Sequence, residues 1–429
     1  MSEQVDELGL EAELDGVLAD PARLLDADRA ALRARIEEAS PGVGREVFLQ
    51  AEAMFGVADV PRAEFAAWLH FAAVATGESS YAELVAAAEP GMPWRTVWAW
   101  WRPVNWFVAQ PSLNGDYYRV RRLLHDGRDV LEVADQRGPV RFETETGDRV
   151  QIPADAEPEE GAPRLWDAPQ LRDWALNAPW NWSEADVLSV EGHKSRHLVT
   201  GEHGVAVLET DARTLHDWPR GKVDPSSSDA AEGLALPTRR QIEGPLTAAR
   251  VDESFGAKWA RRIPAEDLPE ALQHPASRAH LTGIGLPAWW SCAFDEYETY
   301  TPDAMKPAVG DGLPEDLIAL GSCTYGEVYL HGAEGTVHVH GNSDGPSNGE
   351  LVTLAPDLDV FTRALEAVYR YSNACWHPYP AEGDQDDVTL VFLDELNELA
   401  PGLFDKGTPS GELWSWIYAG ITELGVDGY

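Results

Sequence analysis

Histidines and cysteines are the residues of this chain whose spacing most directly tests for metal chemistry. The clustered histidines are His193, His197 and His203 in one group and His338 and His340 in another, and the cysteines are Cys292, Cys323 and Cys375. A zinc site needs three or four convergent ligands at a constrained spacing, and neither histidine group has cysteine partners at such a spacing. The odd number of cysteines, without a CxxC pair, supports no disulfide framework. We therefore expect ordinary surface or core histidines and no metal.

Nucleophilic and phosphate chemistry also lack a signature in this sequence. We expect no nucleophile elbow and no P-loop, and there is no G-x-G-x-x-G, because Gly283-Ile284-Gly285 has neither the third glycine nor the helix context. Carboxylate pairs are abundant in a chain with 73 Asp and Glu, so they indicate no glycosidase. The sequence therefore predicts no catalytic residue and no cofactor.

Carboxylates and tryptophans fall together near the C-terminus. Aromatic side chains beside carboxylates can anchor a basic protein, because the ring fills a pocket and the charges steer the approach. The predicted partner-binding residues are Trp289 and Trp290 with Asp295, Glu296 and Glu298 in one loop, and Glu382, Asp384, Asp386 and Asp387 in another. The alternative is that both tryptophans belong to the core and the acidic loops are solvated edges.

The charge balance favours a cationic partner. Lys and Arg number 33, the formal net charge is −40, and residues 251–429 hold 30 acidic and 8 basic residues, a net of −22. Such a surface repels nucleic acid and anionic membranes, although acidity can also serve solubility alone. The acidic N-terminus differs from a signal peptide, and the apolar run at 65–76 is too short to cross a bilayer. We expect a cytoplasmic protein.

With 429 residues and 44% hydrophobic residues, the chain is long enough for two or three domains. We predict a helical segment at 1–90, a Trp-rich α+β region at 91–221 that can share one domain with it, a linker at 222–249 and a domain at 250–429. Asp26 is expected to cap a helix at 29–39. Residues 93–103 fit a short helix with Trp94, Trp98 and Trp101 on one face.

The C-terminal block carries motifs whose order and spacing are informative together. They are Phe255-Gly256, Gly285-Leu286-Pro287, Leu320-Gly321, a hairpin from Gly326 to His340 with Gly335 at its turn, an amphipathic helix at 361–371 and a Trp-bearing helix near 414–423. This order resembles the SUKH superfamily, relatives of a fungal cell-wall-assembly regulator, and most of all its SUKH-4 immunity branch. Leu354-Ala355-Pro356-Asp357 departs from the usual Asn or Ser before the helix, but Asp357 can cap it.

The resemblance implies an α+β fold, with a mixed sheet of about five strands and helices on one face. It implies a non-catalytic immunity protein that binds and neutralises a cognate bacterial toxin, which the charge suggests is a basic nuclease or deaminase. A scaffold or regulator, like the fungal members, is the alternative. An enzyme, or a sugar- or peptide-binding module in the Trp-rich region, is a third interpretation.

Overall fold

A computed structural model describes most of the chain, in segments. The described residues are 13–55, 60–110, 113, 119–135, 138–152, 159–160, 184–201, 203–211, 213, 236, 238–240, 244–292, 295–308, 313–341, 349–375 and 385–422. They form two compact units. Unit 1 contains the described residues up to Trp106 and from 113 to Arg239, whereas unit 2 contains Phe107–Gln110 and the described residues from Arg240 onwards. Most of the predicted linker lies outside the described residues.

Unit 1 begins with helices. Residues 13–19 are helical, followed by α1 Pro21–Asp26, α2 Arg29–Arg35, α3 Val43–Phe55, α4 Arg62–Ala75 and α5 Ser79–Ala88. The helical character expected for this segment is present. The cap of α2 differs from the prediction, because Asp26 is the last residue of α1 and Asp28 accepts hydrogen bonds from the N–H groups of Ala30 and Ala31.

The Trp-rich stretch after α5 is a strand, not the helix that its spacing suggested. Strand β1 (Trp94–Trp101) pairs antiparallel with Gly204–Asp211, and its register shifts between Thr96 and Trp98. A bulge of this kind reverses which face the following side chains occupy. Trp94 and Trp101 accordingly contact the helices' core, whereas Trp98 packs on the opposite side. In a segment that is buried on both faces, apolar residues occupy nearly every position. Hydrophobic periodicity therefore cannot distinguish a helix from a strand there.

The remaining strands of the first half are short or medium in length. They are β2 Trp106–Phe107, β3 Arg119–His125, β4 Arg128–Asp135, β5 Gly138–Glu143, β6 Glu159–Glu160, β7 Glu184–Glu191, β8 Lys194–Gly201, β9 Gly204–Asp211 and β10 Arg239–Arg240. One sheet has the order β1-β9-β8-β7 and another has the order β5-β4-β3-β6. Helices pack on one face of the first sheet and the second sheet packs on its other face, which makes three layers.

Unit 2 alternates short helices and strands before its main sheet. Its elements are α6 Ala248–Phe255, β11 Ala260–Arg261, α7 Pro275–Ala279, β12 Leu286–Pro287, β13 Trp289–Cys292, β14 Asp295–Thr299, β15 Leu317–Cys323, β16 Gly326–His331, β17 Val337–Gly341, β18 Leu351–Ala355, α8 Leu358–Cys375, α9 Gln385–Leu399, α10 Pro409–Ile417 and α11 Ala419–Thr422. The α+β class predicted from the sequence is confirmed.

The main sheet of unit 2 has the strand order β13-β14-β15-β16-β17-β18, and every described pairing in it is antiparallel. The expected mixed sheet is therefore corrected to an antiparallel meander. The physical reason is that spatial order follows chain order, and a strand that turns back beside its predecessor must run in the opposite direction. The predicted hairpin is β16–β17, with Gly335 in a positive-φ conformation at its turn.

Helices cover one face of this sheet and build the core of unit 2. Val328 and Val339 from the central strands belong to the same core as Phe361 and Leu365 of α8 and Trp414 of α10. The predicted cap of α8 is confirmed, because the Val360 N–H donates to Asp357 Oδ1 at 2.8 Å. Within the described residues, no helix is both long and apolar enough to span a bilayer.

Candidate functional site

The acidic residues next to the tryptophan pair lie on a strand rather than in the predicted loop. Strand β14 (Asp295–Thr299) pairs with β13, which places Trp289 opposite Glu298 and Trp290 opposite Tyr297. Pairing with β15 on its other side holds β14 in the extended conformation. Successive side chains of a strand point to opposite faces, so Trp289 and Glu298 share one face while Trp290 and Tyr297 share the other.

The two neighbouring tryptophans therefore have different roles. Trp290 is 3% exposed and belongs to the core, together with Tyr297, whose ring meets Phe361 edge-on at 5.3 Å. Trp289 is half-buried, and Glu298 beside it is exposed. Glu296 is exposed on the same face of β14, opposite Ser291. The structure thus brings Trp289, Glu296 and Glu298 together on the surface and removes Trp290 from the site.

A third tryptophan, Trp259, joins this surface and was missed from the sequence. Its ring centroid lies 5.7 Å from that of Trp289, with an angle of 48° between the ring planes. The half-buried Trp259 sits in a short 3-10 turn, and its carbonyl accepts the Ala288 N–H. Lys258 Nζ lies 4.8 Å from the Trp259 ring centroid. Sequence spacing contains no signal for this pair, since the two rings come from segments thirty positions apart.

Polar residues continue across the sheet from Trp289. The cross-strand partners form what we call the acidic row, which runs through Trp289, Glu298, Ser322, Glu327 and His340. Tyr300 Oη donates to Glu327 Oε2 at 2.9 Å. Burial, followed by this hydrogen bond to the carboxylate, raises the pKa of Tyr300, so its hydroxyl remains a donor at neutral pH. The row presents carboxylates and an aromatic ring on the sheet face opposite the core.

In each of the two histidine groups, one ring hydrogen-bonds to neighbouring hydroxyls. His197 is 1% exposed, and its Nε2 lies 2.9 Å from Ser195 Oγ and 3.0 Å from Thr210 Oγ1. Burial lowers the pKa of His197 to about 4. His338 hydrogen-bonds to the hydroxyls of two threonines, and burial, with a smaller effect of His331, lowers its pKa. In the part of the chain that the structure describes, no three His, Cys, Asp or Glu residues form a group able to hold a metal ion.

The second predicted acidic loop is only partly described. Glu382 and Asp384 lie outside the described residues, whereas Asp386 and Asp387 belong to the first turn of helix α9. This placement corrects the prediction of a loop for these two residues. The physical reason is that acidic residues favour the first turn of a helix, where they interact with the positive end of its dipole.

Comparison with protein families identifies the class of the C-terminal segment. The family described as SUKH-4 immunity protein matches residues 246–414, a range that contains the whole antiparallel sheet, α8 and α9. This segment is therefore SUKH-4-like, and the resemblance stated from the sequence is confirmed for it. The N-terminal half has no family match. No curated protein and no solved structure matches the chain.

Proposed function

We propose that unit 2 is an immunity module that binds a cognate protein toxin and occludes its active surface. The family match supports an immunity-type function. The observation that carries the proposal is the cross-strand pair of Trp289 and Glu298, a half-buried ring beside an exposed carboxylate on the acidic row. A ring of this kind supplies apolar contact area, and the adjacent charge supplies orientation.

The charge of the chain indicates which toxins fit. A net charge of −22 over residues 251–429 attracts a cationic surface and repels nucleic acid. Nucleases and nucleobase deaminases need cationic surfaces to hold their polyanionic substrates. We therefore propose a basic nuclease or deaminase domain as the partner, met in the cytoplasm of a bacterial cell. The module acts by steric and electrostatic occlusion, without a catalytic step.

The proposal is tested by measuring binding to the toxin domain encoded beside the gene for this chain. Trp289→Ala is expected to weaken the complex about thirtyfold, the loss typical of a ~2 kcal/mol hot-spot residue. Glu298→Gln is expected to act mainly on the association rate. Glu266→Gln is the matched control, because Glu266 is an exposed carboxylate of the same unit, lies in a short 3-10 turn and is not a member of the acidic row.

Two results would contradict the proposal. One is the absence of any complex between the wild-type protein and the neighbouring toxin domain. The other is protection of cells from the toxin by residues 1–221 alone, which would assign neutralisation to the N-terminal half. Trp290→Ala is unsuitable as a binding variant, because loss of this core ring destabilises the unit itself.

A further inference from the structure

Helix α10 presents an unusually exposed aromatic side chain. Its core face consists of Leu413, Trp414 and Ile417, all of them buried. Trp416 points the other way and is 54% exposed, whereas Trp414 is fully buried and donates its indole N–H to the Leu354 carbonyl at 2.8 Å. A tryptophan exposed to this degree adds little to the core. Exposed aromatic residues are enriched in protein interfaces, so Trp416 is a candidate contact residue.

The surroundings of Trp416 combine a second ring with a carboxylate. Tyr325, in the β15–β16 turn, lies with its ring centroid 6.2 Å from that of Trp416 at an angle of 66°. Glu412 is exposed one helical turn before Trp416, and residues at this spacing are neighbours on a helix surface. We call Trp416, Tyr325 and Glu412 the Trp416 patch.

We propose that the Trp416 patch binds an arginine side chain of the partner protein. A guanidinium can stack on the exposed indole face and at the same time donate to a flanking carboxylate. Charge complementarity supports a cationic occupant, because the charged member of the patch, Glu412, is a carboxylate in a unit of net negative charge. The inference rests on the proposed function, since it names a contact of the same toxin. It adds an anchor outside the acidic row.

Peptides test this site without the toxin. The probes are hexa-arginine, hexa-lysine and hexa-glutamate peptides, titrated at about 0.15 M salt, where exposed charges more than about 8 Å apart are largely screened. The full chain is labelled with 5-fluorotryptophan and observed by fluorine NMR. The resonance that is absent from the spectrum of Trp416→Phe is that of Trp416. We expect hexa-arginine to shift that resonance and hexa-glutamate to leave it unchanged. Trp416→Ala is expected to weaken hexa-arginine binding about fivefold, with Trp416→Phe retaining most of the affinity.

Leu390→Ala is the matched control, because Leu390 is 59% exposed on helix α9 of the same unit. Equal affinity of hexa-arginine for wild type and Trp416→Ala would overturn the proposal. An equal loss in Leu390→Ala, or equal affinity for hexa-lysine, would also overturn it. These outcomes leave the proposed function standing, because that function fails only when the toxin itself does not bind.

Discussion

Trp289 and Trp290 are adjacent in the chain, but their side chains lie on opposite faces of strand β13, because successive side chains of a strand alternate. Trp290 is 3% exposed and packs in the core, while Trp289 lies half-buried beside Glu298. The alternative of a core residue is therefore confirmed for Trp290, whereas Trp289 stays a predicted partner-binding residue. The dipeptide contains no information about which ring turns inward. The alternation of Glu296 and Glu298 with Tyr297 and Thr299 does indicate which face of the next strand is buried.

At the same scale, His280 predicts a pH dependence of the stability of unit 2. His280 is 5% exposed, and its Nε2 lies 3.1 Å from Thr362 Oγ1. Burial lowers its pKa from 6.5 to about 4, so the unfolded chain binds more protons than the folded unit between these values. The stability contributed by the neutral ring is therefore present above pH 6.5 and is lost as the pH falls through 6.5 towards 4. The loss is about 3 kcal/mol.

The measurement is the free energy of unfolding of unit 2 between pH 7 and pH 4, for wild type and for His280→Gln, which removes the titrating ring. We expect the variant to show a shallower loss over this range. An identical pH dependence in both proteins would show that His280 is not the group responsible.

At the scale of elements, a short segment of the N-terminal half completes the core of unit 2. The Phe107 ring stacks on Tyr371, with centroids 4.2 Å apart and 10° between planes. The Phe107 carbonyl accepts a hydrogen bond from Arg370 Nη1 at 2.7 Å, and Arg370 also pairs with Glu395 while both are buried. A buried ion pair depends on such extra hydrogen bonds, because its charges have lost water.

Phe107→Ala is therefore expected to destabilise unit 2 by about 3 kcal/mol, through the lost ring contacts and the cavity that remains. Phe107→Leu, which keeps apolar volume, is expected to cost less. Urea unfolding, together with hydrogen exchange of the α8 amides, reports the effect on this unit. Unchanged exchange in α8 of Phe107→Ala would show that the segment is dispensable.

At the scale of the whole molecule, net charge dominates encounter with other proteins. The chain carries −40, and residues 251–429 carry −22 of it. If the proposed toxin is basic, raising salt from about 0.1 M to about 1 M shortens the screening length from about 10 Å to about 3 Å. The association rate is then expected to fall at least about tenfold, with a smaller change in dissociation. Stopped-flow kinetics measures both rates. A salt-independent association rate would instead favour an apolar interface centred on the tryptophans.

The sequence by itself determined the α+β class, the β16–β17 hairpin with Gly335 at its turn, the Asp357 cap of α8 and the SUKH-4-like character of the C-terminal segment. These features depend on local spacing and on residues with strong conformational preferences, so neighbouring positions suffice to specify them. The acidity that suggests a cationic partner is likewise a property of composition.

Only the tertiary structure decided the rest. It made residues 94–101 a bulged strand, moved Glu296 and Glu298 from a loop onto β14, and brought Trp259 beside Trp289. It also placed Phe107 in the core of unit 2. The strand at 94–101, the contact of Trp259 with Trp289 and the position of Phe107 each depend on a partner far away in the chain. Burial against that partner contributes more free energy than local preference, so no window of sequence could contain the answer.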